Sequence, residues 1–290
     1  MLYVVKYLLQ RWHLHRPDSC GITSGLLYNP IMEIKLTILG TGTFFVNKER
    51  TSSSYLLEID KKKILIDCGA GTLVRLSQVG IDPKDIDYVF ITHFHPDHTS
   101  DLFALFMNSC LSDFYSGGKL TKFPEIIGPK GIYKFMLKWS KNAELPVFNS
   151  WNKIKFVDVV KKMKIGDTIV ESFKVHHIAF GLSAHSYAYR FTVGKKVIVF
   201  SGDATKSLGI ENACQNADVF VCDASYSKGK GTPSHMDTYD IGNICQENNV
   251  KKVILTHFYP QTNDIDLVGE VKEKFNGQVI RGKDLMKITF

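Results

Sequence analysis

The sequence His-Phe-His-Pro-Asp-His, which begins at His93, places four side chains that can bind metal ions within six positions. It follows an apolar run, and burying so many polar groups is costly unless they share a partner such as a cation. If the segment is extended, as Pro96 favours, its side chains alternate between two sides. We therefore expect two adjacent metal ions, with His93 and His95 on one and Asp97 and His98 on the other.

The string Thr-His-Phe occurs twice, each time at the end of an apolar run. It reads Thr92-His93-Phe94 at the first place and Thr256-His257-Phe258 at the second. Ligands in α/β proteins usually bind at the carboxyl ends of strands. We therefore expect two βα halves to bring His93 and His257 to one edge of the sheets.

The elements that must position these side chains alternate between short apolar runs and amphipathic patterns, which predicts an α/β fold. The predicted strands cover 34–39, 54–59, 63–66, 88–92, 124–129, 154–158, 168–178, 186–193, 196–200, 218–222, 252–256 and 287–290. The predicted helices cover 72–80, 101–111, 131–142, 207–215, 236–248 and 266–275.

The composition is that of a globular protein, with 44% hydrophobic and 22% charged residues among 290. It excludes a disordered, collagen-like or coiled-coil chain, and no apolar stretch approaches the ~18 residues of a membrane span. The net charge of +7 suits an anionic substrate. The six cysteines form no Cys-x-x-Cys pair, so we expect reduced thiols and a cytoplasmic protein.

Residues 1–31 differ from the rest and are expected to be an N-terminal extension, with a single domain over 32–290. Lys6 interrupts the first apolar run and basic residues follow it, which is not the order of a secretory signal. The extension is expected either to be disordered or to pack on the surface of the domain. A short helix that binds a membrane surface or a partner is the alternative.

A series of motifs resembles a known family. In chain order they read LGTGTF, ILIDCGAGTLVRL, ITHFHPDHTSDL, GPKGI, SYAYRF, VIVFSGDAT and ILTHF. Over about 34–290 the chain resembles the metallo-β-lactamase fold hydrolases, and among them the ribonuclease Z-like phosphodiesterases. The resemblance implies a four-layer αβ/βα sandwich with a dinuclear zinc site at one edge, manganese or iron being the alternative metals.

The resemblance also implies roles for three further residues. Asp67 would hold one of the metal ligands through hydrogen bonds, and Asp203 would bridge the two cations. His257 would be the last ligand of the second cation.

The third ligand of the first cation has three candidates, because the family places a histidine shortly before the segment that reads SYAYRF here. His177 is favoured, although eight residues separate it from Ser186. His185, which directly precedes that serine, and His176 are the alternatives. Neighbouring residues of a strand face opposite sides, so at most one of His176 and His177 faces the site.

His235 matches a histidine that precedes the last metal-binding strand in the ribonuclease Z-like branch, and Asp223 stands where those proteins carry a glutamate. A carboxylate beside an imidazole raises the pKa of the imidazole and prepares it to give a proton to a leaving oxygen. The alternative for His235 is an exposed histidine that caps a helix.

The function that follows is hydrolysis of a phosphodiester, in RNA or a cyclic nucleotide, by a hydroxide held between two zinc ions. Asp97 and Asp203 would orient the hydroxide and His235 would protonate the leaving group. Hydrolysis of a lactone, thioester or sulfate ester is the first alternative, and a binding or metal-sensing protein is the second. Processing of transfer RNA is disfavoured because the chain after Gly131 lacks a Gly/Pro-rich basic arm. A homodimer is compatible with the sequence.

Overall fold

The computed structural model describes residues 33–45, 47–120, 122–142, 152–179 and 181–290. The predicted N-terminal extension over 1–31 lies outside these residues. No helix of the described ranges is long and apolar enough to cross a membrane.

The strands form two seven-stranded mixed sheets. The first sheet has the order β16-β1-β2-β3-β4-β5-β6 and consists of β1 (Ile34–Gly40), β2 (Ser54–Ile59), β3 (Lys62–Ile66), β4 (Tyr88–Phe90), β5 (Glu125–Gly128), β6 (Lys155–Asp158) and β16 (Met286–Thr289). The strands from β16 to β3 pair antiparallel, and those from β3 to β6 pair parallel.

The second sheet repeats this plan of an antiparallel half and a parallel half. It has the order β15-β14-β13-β12-β11-β8-β7 and consists of β7 (Lys162–Ile165), β8 (Thr168–Val175), β11 (Ser186–Val193), β12 (Lys196–Phe200), β13 (Val219–Asp223), β14 (Lys252–Thr256) and β15 (Gln278–Arg281). A separate small hairpin joins β9 (Ile178–Ala179) to β10 (Leu182–Ser183).

The period of two along the strands sorts apolar side chains into three layers. On β12, Ile198 and Phe200 enter the core between the sheets, whereas Val197 and Val199 enter the core on the outer face. The outer core of the first sheet contains residues of α1 (Thr72–Gln78), α3 (Leu102–Tyr115) and α4 (Ile132–Asn142). That of the second contains residues of α5 (Leu208–Cys214), α6 (Thr238–Glu247) and α7 (Leu267–Lys272). The predicted four-layer sandwich is confirmed.

The segment around Pro96 differs from the expectation. The backbone is extended only as far as His95, and Pro96 begins the short helix α2 (Pro96–Thr99). Proline is well suited to the first position of a helix, because its fixed φ matches the helix and no partner is needed there for an N–H. The expectation that Pro96 keeps Asp97 and His98 on an extended segment is therefore wrong, and both lie on a helical turn.

Candidate metal centre

The candidate centre lies where the carboxyl ends of parallel strands from both sheets meet. The residues predicted for the site end a strand or follow one closely in several cases, namely Asp67 after β3, His93 after β4, Asp203 after β12, Asp223 at the end of β13 and His257 after β14. The predicted side chains come together in this one place.

Three histidines and one aspartate form the first group of ligand atoms. Nδ1 of His95 lies 2.9 Å from Nε2 of His93 and 3.2 Å from Nε2 of His177. Oδ2 of Asp203 lies 3.7 Å from the His93 nitrogen and 3.9 Å from the His177 nitrogen.

Two aspartates and two histidines form the second group. Oδ1 of Asp203 lies 3.1 Å from Nε2 of His98 and 3.2 Å from Nε2 of His257. Oδ2 of Asp97 lies 3.3 Å from the His257 nitrogen and 3.8 Å from the His98 nitrogen. Asp203 thus presents one oxygen to each group, which suits a carboxylate that bridges two cations.

The hydrogen bonds of the imidazole rings leave lone pairs directed at these groups. The Nδ1 atom of four histidines faces an oxygen that can accept its proton: the Thr92 hydroxyl for His93 at 3.1 Å, Asp67 for His98 at 2.7 Å, the Ser234 carbonyl for His177 at 2.8 Å, and the Ser225 hydroxyl for His257 at 2.9 Å. Because Nδ1 carries the proton, Nε2 of each neutral ring presents a lone pair.

A cation fits this arrangement. Oδ1 of Asp97, Nε2 of His98 and Oδ1 of Asp203 are buried and make no hydrogen bond. Among the described residues, no lysine or arginine pairs with Asp97, Asp203 or Asp223, which are all buried. Burial lowers the pKa of His257, but the charges of Asp203 and Asp223 outweigh burial and raise it to about 10. The cluster therefore demands positive charge, which divalent cations would supply.

The protonation of the first group suits metal binding as well. Burial holds the pKa of His93 well below its usual value, with a further contribution from His98, and burial also lowers the pKa of His95. Burial would raise the pKa of Asp203, but His257 and His98 hold it well below its usual value. Neutral imidazoles and an ionised carboxylate are the forms that bind metals.

Asp67 supports this centre from beneath. Its Oδ2 accepts from Nδ1 of His98 and, at 2.9 Å, from the Thr92 hydroxyl, while its Oδ1 accepts from the Thr92 backbone N–H at 2.8 Å. Its φ of 56° is in the left-handed region, as is that of His257 at 57°. Two residues held in this uncommon conformation beside one cluster indicate that the surrounding fold fixes their orientation.

The structure distinguishes the three candidates for the remaining ligand. His177 is buried within the first group, whereas His176 and His185 are exposed. The residues that separate His177 from Ser186 contain the small β9–β10 hairpin, which accounts for the unusual spacing. The role of His177 as a ligand stays a prediction.

Asp223 and His235 form a buried pair beside the second group. Their Oδ2 and Nδ1 atoms are 2.6 Å apart. Burial lowers the pKa of His235, but the charge of Asp223 and this hydrogen bond raise it above its usual value. The alternative of an exposed helix-capping histidine does not describe His235, which is 5% exposed and precedes the N-cap residue Asp237 of α6.

Sequence reasoning missed Ser225. Its hydroxyl donates to Oδ1 of Asp223 at 2.5 Å and lies 2.9 Å from Nδ1 of His257. It thus connects the Asp223–His235 pair to a candidate metal ligand. A serine two positions after an aspartate carries no signal in one sequence. Only the meeting of β13 and β14 gives it this position.

The family model described as Anti-Pycsar protein Apyc1 matches residues 34–283. The chain belongs to this family. Among its relatives, ribonuclease Z of Agathobacter rectalis is 24% identical over 307 residues, covering 88% of this chain and 97% of that protein.

Solved structures similar to this member of the Apyc1 family have the predicted fold. The metallo-β-lactamase fold protein YhfI of Bacillus subtilis has a TM-score of 0.74 at 22% identity, covering 89% of this chain and 100% of that one. The short form of human tRNase Z, ELAC1, has a TM-score of 0.68 at 20% identity, covering 88% and 98%. The predicted resemblance to metallo-β-lactamase fold proteins of the ribonuclease Z-like kind is confirmed.

Proposed function

We propose that the protein is a phosphodiesterase that cleaves RNA or a cyclic nucleotide at a dinuclear zinc centre. The observation that carries this proposal is the buried pair of Asp223 and His235 beside the two ligand groups. A nucleoside alkoxide is a poor leaving group and needs a proton as it departs, and this pair can supply it.

The first group of ligands would hold one zinc ion and the second group the other, with Asp203 between them. Imidazole nitrogens and carboxylate oxygens are ligands that zinc accepts, and manganese or iron would use the same donors. When bound, two such cations lower the pKa of water and stabilise charge on phosphoryl oxygens.

The residues of the chain then divide the remaining work. Oδ1 of Asp97 is buried without a hydrogen bond, so it can accept from the attacking water and orient it. Asp223 holds Nδ1 of His235, which fixes the ring and leaves Nε2 to give a proton to the leaving oxygen. Ser225 keeps Asp223 in place through its hydroxyl.

Three features support a phosphodiester as the substrate. The net charge of +7 favours an anion, a relative is named ribonuclease Z, and a general acid is of little use to a thioester, whose thiolate leaves readily. The chain from Ile132 to Asn142 is helix α4 and not a Gly/Pro-rich arm, so a small diester is as good a candidate as transfer RNA. Lactone and sulfate ester hydrolysis remain the alternatives, and both should be assayed beside the diesters.

The cytoplasm is the proposed location, and the five described cysteines, which are all buried and free, support a reducing compartment. A homodimer, with which the sequence is compatible, can be tested by measuring the mass of the protein in solution.

The decisive experiment replaces His235 with alanine in the metal-loaded protein. We expect unchanged metal content and a ~10²–10⁴-fold loss of turnover on a nucleotide diester with an alkoxide leaving group. On bis-p-nitrophenyl phosphate the loss should be much smaller, because p-nitrophenolate leaves without a proton. Asp223→Asn should show the same pattern more weakly. The control is His176→Ala, which removes an exposed histidine from the same region and should change neither value.

Two outcomes would contradict the proposal. Loss of metal from His235→Ala would make this histidine a ligand, since its ring also lies among the ligand atoms of Asp203, Asp223 and His257. A wild-type protein that cleaves a lactone or a sulfate ester but no diester would assign it to the alternative class.

A further inference from the structure

Two adjacent phenylalanines, Phe44 and Phe45, stand exposed at the mouth of the candidate centre. Their exposed fractions are 46% and 57%. Single exposed apolar residues are common on protein surfaces, but two neighbouring aromatic rings beside a polar catalytic site are a feature that ligand binding would explain.

The loop that carries these rings is fixed on two sides. The N–H of Gly42 donates to the Thr51 carbonyl at 2.7 Å, and the Ser52 hydroxyl donates to the Thr43 carbonyl at 2.9 Å. The N–H of Phe258 donates to the Thr41 carbonyl at 2.8 Å. The loop after β1 is thereby tied to the residue that follows His257.

The two rings lie at opposite halves of the centre. The ring of Phe44 is 6.4 Å from that of His95, which belongs to the first ligand group. The ring of Phe45 is 5.9 Å from that of Tyr259. Tyr259 in turn lies 5.8 Å from the rings of both His257 and His235.

The Phe45 side has the larger aromatic surface. Tyr226 stacks near Tyr259, with ring centroids 6.0 Å apart and planes at 29°. Both tyrosines are partly exposed. The Phe45 and Tyr259 rings contact each other at a tilt of 59°, so a flat aromatic group that stacks on the exposed face of Phe45 would lie beside Tyr259, next to the histidine that gives up the proton.

We propose that Phe44 and Phe45 bind the bases of the nucleotide substrate by stacking, and that Phe45 and Tyr259 take the base of the leaving nucleoside. This rests on the proposed function. Aromatic side chains stack on any nucleobase, because every base has a π-face. The assignment of sides follows from His235, since the oxygen that it protonates belongs to the leaving nucleoside. Phe44, beside His95, then takes the base of the nucleoside that keeps the phosphate.

The test compares three substrates: a uridine dinucleotide and its two analogues that lack one base, on the leaving side or on the phosphate-keeping side. The products of cleavage show which nucleoside leaves. Phe45→Ala should lower kcat/KM on the full dinucleotide by ~5–150-fold, the equivalent of ~1–3 kcal/mol of base stacking. The same variant should hardly change kcat/KM on the analogue without the leaving-side base. Phe44→Ala should lower kcat/KM on the full dinucleotide but hardly change it on the analogue without the phosphate-keeping-side base.

Further variants separate stacking from apolar bulk. Phe45→Tyr keeps an aromatic ring and should retain most of the activity, whereas Phe45→Leu should resemble Phe45→Ala. Tyr115→Ala is the matched control, because Tyr115 is 82% exposed at the end of α3 and should not matter for any substrate. If Phe45→Ala lowered kcat/KM equally on all three substrates, or on none of them, the proposal would be overturned.

Binding gives a second readout that needs no turnover. The monophosphate of 2-aminopurine riboside should lose fluorescence on binding to the metal-loaded protein, because stacking quenches this base. Phe44→Ala should raise the Kd that this quenching measures by the same ~5–150-fold. If the wild type cleaves a cyclic nucleotide but none of the dinucleotides, the assignment of Phe45 to a leaving nucleoside is overturned. If it cleaves neither kind of diester, the proposed function fails, and this binding measurement alone decides the stacking role of Phe44. Unchanged quenching in Phe44→Ala would overturn it.

Discussion

The two Thr-His-Phe strings end strands in different sheets, and their threonines do different work. The Thr92 hydroxyl donates to Asp67 and lies 3.1 Å from Nδ1 of His93, so it fixes ligands of the candidate centre. The Thr256 hydroxyl donates to the Cys222 carbonyl at 3.0 Å and lies 2.9 Å from the Tyr55 hydroxyl, which belongs to the first sheet. One threonine positions metal ligands, and the other connects the two sheets.

The phenylalanines differ in the same way. Phe94 is half-buried and stacks on Phe135, with centroids 4.6 Å apart and planes at 8°. Phe258 is 2% exposed, and the guanidinium groups of Arg50 and Arg281 each lie 4.8 Å from its ring centroid. The first string thus opens a loop with four candidate ligands, and the second supplies one ligand and anchors the surrounding loops.

Replacing the histidine of each string, His93 or His257, should have the largest effect. His93→Ala should weaken metal binding at the first group and His257→Ala at the second. Each should reduce hydrolysis by more than the ~10–100-fold that loss of a ligand's hydrogen-bond partner costs. Metal analysis after gel filtration and turnover on bis-p-nitrophenyl phosphate measure both effects, with His185→Ala as the control at an exposed histidine. If either variant kept two ions and full activity, the two-group assignment would be wrong.

The second test concerns the phenylalanines. Phe258→Ala should lower the free energy of unfolding by ~3–5 kcal/mol, because it empties a buried site and removes the ring that Arg50 and Arg281 contact. Phe94→Ala should cost clearly less, since Phe94 keeps one side toward solvent. Urea unfolding of both variants, followed by circular dichroism, gives the two values. Equal costs would mean that the second string has no special anchoring role.

The sequence predicted the local parts of the fold well, because the burial pattern follows the chain. The period of two at Ile64, Leu65 and Ile66 gives β3 both of its faces. The strands β7 and β15 escaped prediction, since each has only four residues, and the lysines of one and the arginine of the other interrupt the apolar pattern. Helix α2 escaped because the same Pro96 is compatible with extended backbone and with the start of a helix.

The candidate site was predictable to the extent that its signal is local. The ligands around His93 lie within six positions, and their chemistry is visible in the residues themselves. The repeated Thr-His-Phe string placed His257 at the same edge as His93, but the ligand roles of His257 and Asp203 needed the resemblance to a family. The choice of His177 depends on which way one strand end faces. Phe44 and Ser225 gain their positions only where separate loops meet.

The smallest expected effects come from removing one hydroxyl from each threonine. Thr92→Val keeps the shape of the side chain but takes a donor from Asp67, so metal affinity should fall by ~10–100-fold. Thr256→Val leaves the buried Tyr55 hydroxyl and the Cys222 carbonyl without this partner, which should cost ~1–3 kcal/mol of unfolding free energy and little metal affinity. Competition with a chelator and urea unfolding should be measured on both variants. Thr92→Val should lose more metal affinity, and Thr256→Val should lose more free energy of unfolding. Thr192→Val, near the end of β11, is a control for the substitution itself. If Thr256→Val weakened metal binding as much as Thr92→Val, the Tyr55 bond would act on the centre as well, and the two strings would not differ in the way described.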